Sequence, residues 1–158
     1  MDFMREMRRG EEAEVEALLR AAFDGVQEAA LVRELRRSGA MAGESVVTAQ
    51  GQIIGYYALS AFSAPEGWLC LAPVAVLPAW QGRGVGRRMM GMLSEWARLA
   101  GQYVVVLGDA GLYGKAGFSA ARAARLESPY PTEHMLLAGP GEDVPARALA
   151  YPKAFSAL

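Results

Sequence analysis

The chain has 158 residues, 53% of them hydrophobic and 21% charged, with a net charge of -1. That length predicts one domain spanning residues 1–158 with a core of its own, and so apolar a chain at so low a net charge is not disordered. A single cysteine, Cys70, and a single histidine, His134, exclude an internal disulfide, a cysteine zinc cluster and a histidine-rich metal site, so no metal is expected.

A lone thiol suits a reducing cytoplasm. Asp2, Arg5, Glu6, Arg8 and Arg9 interrupt any apolar run at the start, and no secretory signal is expected. Residues 45–65 carry no charge, but Thr48, Gln50, Gln52, Ser60 and Ser63 fall among them in an alternating pattern, so no membrane span is expected.

In chain order, Met1–Arg8 reads as a short strand through Phe3, Met4 and Met7. Glu11–Phe23 has apolar residues at Val15, Leu18, Leu19, Ala22 and Phe23, which is helical spacing, with acids crowding its first turns. A second helix is predicted over Gln27–Arg37, ended by Ser38-Gly39. Two strands follow, Ser45–Gln50 and Ile53–Phe62, around Gly51-Gln52, which fits a type II′ turn. Trp68–Leu77 is a third strand, and Pro73 inside it predicts a pairing defect because proline donates no ladder hydrogen bond.

After the glycines at 82, 84 and 86, a helix runs to Ala100 with Met89, Met90, Leu93, Trp96, Ala97 and Ala100 on one stripe. Tyr103–Leu107 is an apolar strand, and strand–helix–strand in this order implies a parallel pair. A short helix at Ala110–Lys115, a strand from Phe118 and a strand at His134–Ala138 complete the reading. The fold class is α+β, antiparallel first and parallel later.

Charge is segregated. Residues 81–126 hold Arg83, Arg87, Arg88, Arg98, Lys115, Arg122 and Arg125 against Glu95 and Asp109, a surplus of +5 that leaves -6 on the remainder. Aromatics are too sparsely interleaved there to indicate nucleic acid. Glycines at alternate positions between a strand and a helix expose backbone N–H groups at the positive end of the helix. With Arg83, Arg87 and Arg88 beside them, they suit a pyrophosphate. A Walker loop needs Gly-Lys-Ser/Thr, where Gly86 is followed by Arg87-Arg88; a Rossmann loop needs a glycine where Arg87 stands. A turn with no ligand is the structural alternative.

Gln81-Gly82-Arg83-Gly84-Val85-Gly86 resembles the Gln/Arg-x-x-Gly-x-Gly/Ala signature of the GCN5-related N-acetyltransferase (GNAT) superfamily. Val74-Ala75-Val76 with Pro78 matches the strand before it, and Tyr113-Gly114-Lys115-Ala116-Gly117-Phe118 resembles the Tyr-x-x-x-Gly-Phe segment. Residues 28–36 and the tail around Tyr151-Pro152 resemble a bacterial, YhbS-like branch of predicted acetyltransferases. The resemblance spans essentially the whole chain and is densest over residues 71–118. It implies a mixed, mostly antiparallel sheet with a central splayed parallel strand pair flanked by helices.

The resemblance also implies transfer of an acetyl group from acetyl-CoA, as co-substrate, to a primary amine by direct attack in a ternary complex. Backbone groups of Val74, Ala75 and Val76 would hold the pantetheine, and Gln81, Gly82, Arg83, Gly84, Val85, Gly86 and Arg87 the pyrophosphate. Lys115, Arg122 or Arg125 would reach the ribose phosphate, and Tyr113 would be the general acid. The family's glutamate base falls at Cys70, leaving Glu28, Glu66, Glu133 and His134 as other candidates.

The absence of an obvious base leans toward an acceptor of low pKa. The expected partner is a small-molecule or peptide amine, recognised by residues 23–34, Tyr56, Tyr57, Phe62 and the C-terminal segment. Neither nucleic acid nor a membrane is expected, and a homodimer is compatible with the exposed aromatics. The competing readings are a non-catalytic CoA-binding sensor or partner module and a nucleotide-phosphate protein of another kind.

Overall fold

A computed structural model describes residues 3–157. It contains strands β1 (Met4–Glu6), β2 (Met41–Ala49), β3 (Gln52–Ala61), β4 (Leu69–Val76), β5 (Val104–Leu107) and β6 (Met135–Ala138). Helices are α1 (Glu12–Phe23), α2 (Gln27–Ser38), α3 (Val85–Ala100) and α4 (Ala110–Gly114), with 3-10 turns at Pro78–Trp80, Thr132–His134 and Lys153–Ala157. The strands form one sheet in sequence order. Neighbours β1–β2, β2–β3 and β5–β6 run antiparallel and β4–β5 parallel, so the fold is the mixed α+β arrangement expected. The parallel pairing joins Leu69 to Val104 and Cys70 to Val105, and β4 continues beyond it through Pro73 to Val76.

Two compact units divide the chain. One gathers the residues up to Ser60, Ala72–Gly86 and the segment from Lys153; the other holds Ala61–Leu71 and Arg87–Pro152. In the first, Val15, Leu18 and Leu19 of α1 and Ala29 and Val32 of α2 pack with Val46, Ile53, Tyr56, Ala58 and Ala75 of the sheet. Both helices carry acids at the start, Glu12 and Glu14 or Glu28, and arginines at the end, the arrangement the helix dipole favours. Arg5 donates two hydrogen bonds to the Glu11 carboxylate, at 3.0 and 2.7 Å, and the Arg8 N–H a third at 2.6 Å, tying β1 to the entry of α1.

In the second unit Met89, Met90, Leu93 and Ala97 of α3, Val104–Val106 and all four residues of β6 are buried. Arg122 holds the chain after β6: it donates to the carbonyls of Gly139, Pro140 and Asp143 and to the Asp143 carboxylate, whose other oxygen accepts from Tyr103.

Several boundaries differ from expectation for physical reasons. The turn between β2 and β3 is centred one residue earlier, on Gln50-Gly51, with φ values of 54° and 74°. Positive φ at both central positions makes it type I′, which follows the twist of the paired strands. β2 starts at Met41 rather than Ser45. Its acid, Glu44, is satisfied within the strand by Arg36 at 2.7 Å and the Tyr56 hydroxyl at 2.6 Å. Trp96 lies beside the buried stripe of α3, 45% exposed, and Ala100 is exposed too.

Phe118 opens no strand: Ser119 makes a single bridge to Leu137, and the alanine-rich residues 120–126 coil into i→i+3 turns instead. His134 belongs to a 3-10 turn, and β6 begins one residue later. The first strand is limited to Met4–Glu6; Met1 and Asp2, part of that expectation, lie outside the described residues.

Candidate active site

In the first unit, β4 ends on Val74-Ala75-Val76. Ala75 is buried in the core, while Val74 and Val76 on either side are half-buried, the alternation a pleated strand imposes. Leu77 N–H then bonds Ile54 O at 2.8 Å, and the Pro78–Trp80 turn leads to the glycines. The Gln81 side-chain amide donates to Val76 O at 2.9 Å. Gln81, expected at the ligand, thus clamps the start of the loop to the end of the strand.

Gly82 and Gly84 have φ values of 77° and 82°, and a Cβ at either would meet nothing within 4 Å. The glycines are there for backbone conformation, and their outer face is open. The N–H groups of Gly82, Arg83 and Gly84 donate to no group among the described residues. Gly86 is different: its φ is ordinary, and a Cβ would rest 3.8 Å from Val76, an ordinary contact.

Val85 is buried and opens α3, whose first turn holds no acid; Arg87 and Arg88 occupy it instead. That reverses the pattern of α1 and α2, and basic side chains at a helix N-terminus run against the helix dipole. Arg83 lies over the Trp80 ring at 4.9 Å. Exposed amides, a helix N-terminus and arginines adjacent in sequence are the features an anion site uses.

In the second unit, Tyr113 sits in α4, which starts where the Asp109 carboxylate accepts the Gly111 N–H at 2.7 Å. The Tyr113 ring is buried edge-on against Phe118, with centroids 5.8 Å apart, and burial holds its hydroxyl above the ordinary phenol pKa. That hydroxyl has no hydrogen-bond partner among the described residues. Gly108 was not among the expected site residues, yet a Cβ there would stand 2.4 Å from the Tyr113 ring. Its position one residue after an apolar strand is the signal that could have marked it. An open cavity of about 640 Å³ is lined by Leu107, Gly108, Asp109, Ala110 and His134.

The other expected residues differ in exposure and partners. Tyr56, Tyr57 and Phe62 are buried. Arg122 is committed to the loop after β6, while Lys115 and Arg125 are exposed. Cys70, at the position where the resemblance puts a carboxylate base, is buried; Glu66 and Glu133 are exposed and Glu28 half-buried. Among the described residues no group of three or more His, Cys, Asp or Glu is placed to hold a metal, and no helix is long and apolar enough to cross a membrane.

Residues 42–120 match the acetyltransferase (GNAT) domain. The chain belongs to the GNAT family of acetyltransferases. It is 35% identical over 125 residues to the uncharacterized N-acetyltransferase YhbS of Escherichia coli K12, covering 74% of this chain and 73% of that one. A crystal structure of Escherichia coli YhbS in complex with CoA superposes with a TM-score of 0.86 at 28% identity, over 97% of this chain and 91% of that one. A Brucella melitensis GNAT acetyltransferase in complex with acetyl-CoA superposes with a TM-score of 0.79 at 32% identity, over 96% of each chain.

Proposed function

We propose that the protein transfers the acetyl group of acetyl-CoA to a primary amine by direct attack in a ternary complex. The carrying observation is the turn at Gly82–Gly84: amides without acceptors, an open face and an arginine-rich helix start, in a chain whose relatives are seen with CoA and acetyl-CoA. Val74, Ala75 and Val76 bond the pantetheine through their backbone, and Gly82 through Arg87 bind the diphosphate. Gln81 holds the turn in shape through Val76 O. Exposed Lys115 and Arg125 remain for the ribose phosphate.

Tyr113 serves the leaving sulfur. Its phenol, raised above 10 by burial, stays protonated throughout the neutral range. A thiol pKa is about 8.5, so complete transfer from an ordinary phenol is uphill by about 2 kcal/mol. The hydroxyl therefore works first as a hydrogen-bond donor that stabilises the departing thiolate, and the proton follows through it.

The reading includes one working domain over residues 1–158, a bacterial cytoplasm as its setting, no metal, and a soluble amine rather than nucleic acid or a membrane as partner. It includes a homodimer, supported by the exposed ridge of Met92, Trp96 and Leu99 on α3 and by Glu95 and Arg98, of opposite charge, beside it. Cys70 in place of a carboxylate favours the second reading, a CoA-binding sensor without catalysis.

Free-thiol release from acetyl-CoA, measured across a panel of amines, separates the two. The transferase releases thiol with at least one amine, and Tyr113→Phe reduces that release by about 100-fold. CoA binding without thiol release supports the sensor instead.

A further inference from the structure

Resting on the reading of Tyr113 as the donor to the departing sulfur, we infer that Ser94, midway along α3, is a positioning residue for that reaction. Its hydroxyl fixes the segment that carries Tyr113. Ser94, Tyr113 and the chain from Gly108 to Phe118 all lie within the second unit.

α4 has five residues, far fewer than a helix needs to persist on its own. Gly114-Lys115-Ala116-Gly117 follows, and its two glycines give it little conformational preference. Tyr113 therefore stands where ties from outside the helix put it. At the front, the Asp109 carboxylate supplies one through the Gly111 N–H. At the back, the Tyr113 carbonyl accepts two N–H groups, those of Ala116 and Phe118, each at 3.0 Å. Between those two donors lies the Ala116 carbonyl, and Ser94 Oγ donates to it at 2.5 Å.

A serine inside a helix can turn its hydroxyl to a carbonyl one turn back in the same helix. Gly91 O stands ready for Ser94 in that way at 3.1 Å, but the Ala116 oxygen is nearer, and a hydroxyl has one proton to donate. Packing at the same contact is tight. A Cβ on Gly117 would stand 2.5 Å from Ser94 Oγ and 3.0 Å from Ser94 Cβ, and the φ of Gly117 is 102° besides. Leu93 and Ala97, which flank Ser94 in α3, are buried. The loop behind Tyr113 thus takes its place from a long helix anchored in the core, through one side chain.

Ser94→Ala deletes one oxygen and leaves the carbonyl of buried Ala116 without that donor. Tyr113 O, bonded on either side of that carbonyl, should shift with it. A small displacement of a reacting group lowers the rate of the chemical step.

The test is a double-mutant cycle between Ser94→Ala and Tyr113→Phe, read as thiol release from acetyl-CoA across the amine panel. Ser94→Ala should lower kcat about 10-fold and leave the KM for acetyl-CoA unchanged. In the Tyr113→Phe background it should cost less than about twofold more, because a residue acting through the phenol has nothing left to act on. A hydroxyl that merely supports the fold would give additive losses. NMR adds a readout besides turnover: the Tyr113 ring signals, assigned by their loss in Tyr113→Phe, should move in Ser94→Ala.

Wild-type kcat in Ser94→Ala, additive losses, unmoved ring signals or a variant that no longer folds would each overturn this inference and leave the Tyr113 reading standing. Wild-type thiol release in Tyr113→Phe overturns that reading and the role of Ser94 with it. Thiol release with no amine of the panel overturns the transferase reading and both roles.

Discussion

Gly108 has room for a hydrogen atom and nothing larger, because the Tyr113 ring fills the space a methyl group would need. Gly108→Ala should displace the ring and lower stability by about 1–3 kcal/mol, the usual range for overpacking, as read by chemical denaturation. Thiol release should fall with it, toward the level of Tyr113→Phe. A variant with wild-type stability and turnover would show that the ring has slack. At Glu11 the governing effect is electrostatic. The bonds from Arg5, then the Arg8 N–H, lower its carboxyl from 4.5 to about 2.

A carboxyl depressed in the folded state contributes stability above its unfolded pKa and loses it as pH falls through the folded value. The loss at Glu11 should therefore run from about pH 4.5 down to about pH 2. Glu11→Gln should flatten the acid side of the stability profile in that window, measured by thermal melts against pH. An unaltered profile would mean that the Arg5 contact contributes nothing in solution.

In the proposed function, the element that holds the coenzyme is the turn between β4 and α3. Its glycines are not equivalent. Gly82→Ala and Gly84→Ala each force a side chain into the left-handed region and should cost about 1–2 kcal/mol of stability. Gly86→Ala should be close to neutral, since its φ is ordinary and its added methyl meets Val76 at contact distance. Melting temperatures of the three variants, with and without CoA, test that order. Equal losses at all three positions would mean that conformation is not what the glycines supply.

The spacing of these glycines and the missing acids at the helix start were legible in the sequence because they are local. So were α1 and α2, whose apolar residues recur at helical intervals between acidic starts and basic ends. Contacts between side chains of different elements, or between a side chain and a neighbouring loop, were not. Glu44 remains inside β2 because Arg36 and Tyr56 meet it there, and Gly108 matters because of a ring five residues away. Trp96 falls on the apolar stripe of α3 by spacing yet is exposed, because hydrophobicity marks a residue for burial without saying which side of the helix faces the core. Arg122 looked free for phosphate until the carbonyls of Gly139, Pro140 and Asp143 claimed its guanidinium.

For the whole molecule, the +5 surplus over residues 81–126 in a chain of net charge -1 is the electrostatic counterpart of the turn. If the proposed coenzyme binds through its phosphates, added salt should weaken that binding. The exposed ridge on α3 makes a separate prediction. Sedimentation should find a homodimer, and Trp96→Asp should yield monomers that still fold; a monomeric wild-type protein would remove the dimer and leave the turn untouched.

The grip of the Gly82–Gly84 turn on a coenzyme thioester is measured most directly by titration calorimetry with acetyl-CoA. Saturable heat at one site per chain is predicted, with a dissociation constant of about 1 μM, equivalent to about 8 kcal/mol, and weaker binding as salt rises. No heat of binding at millimolar acetyl-CoA would contradict it.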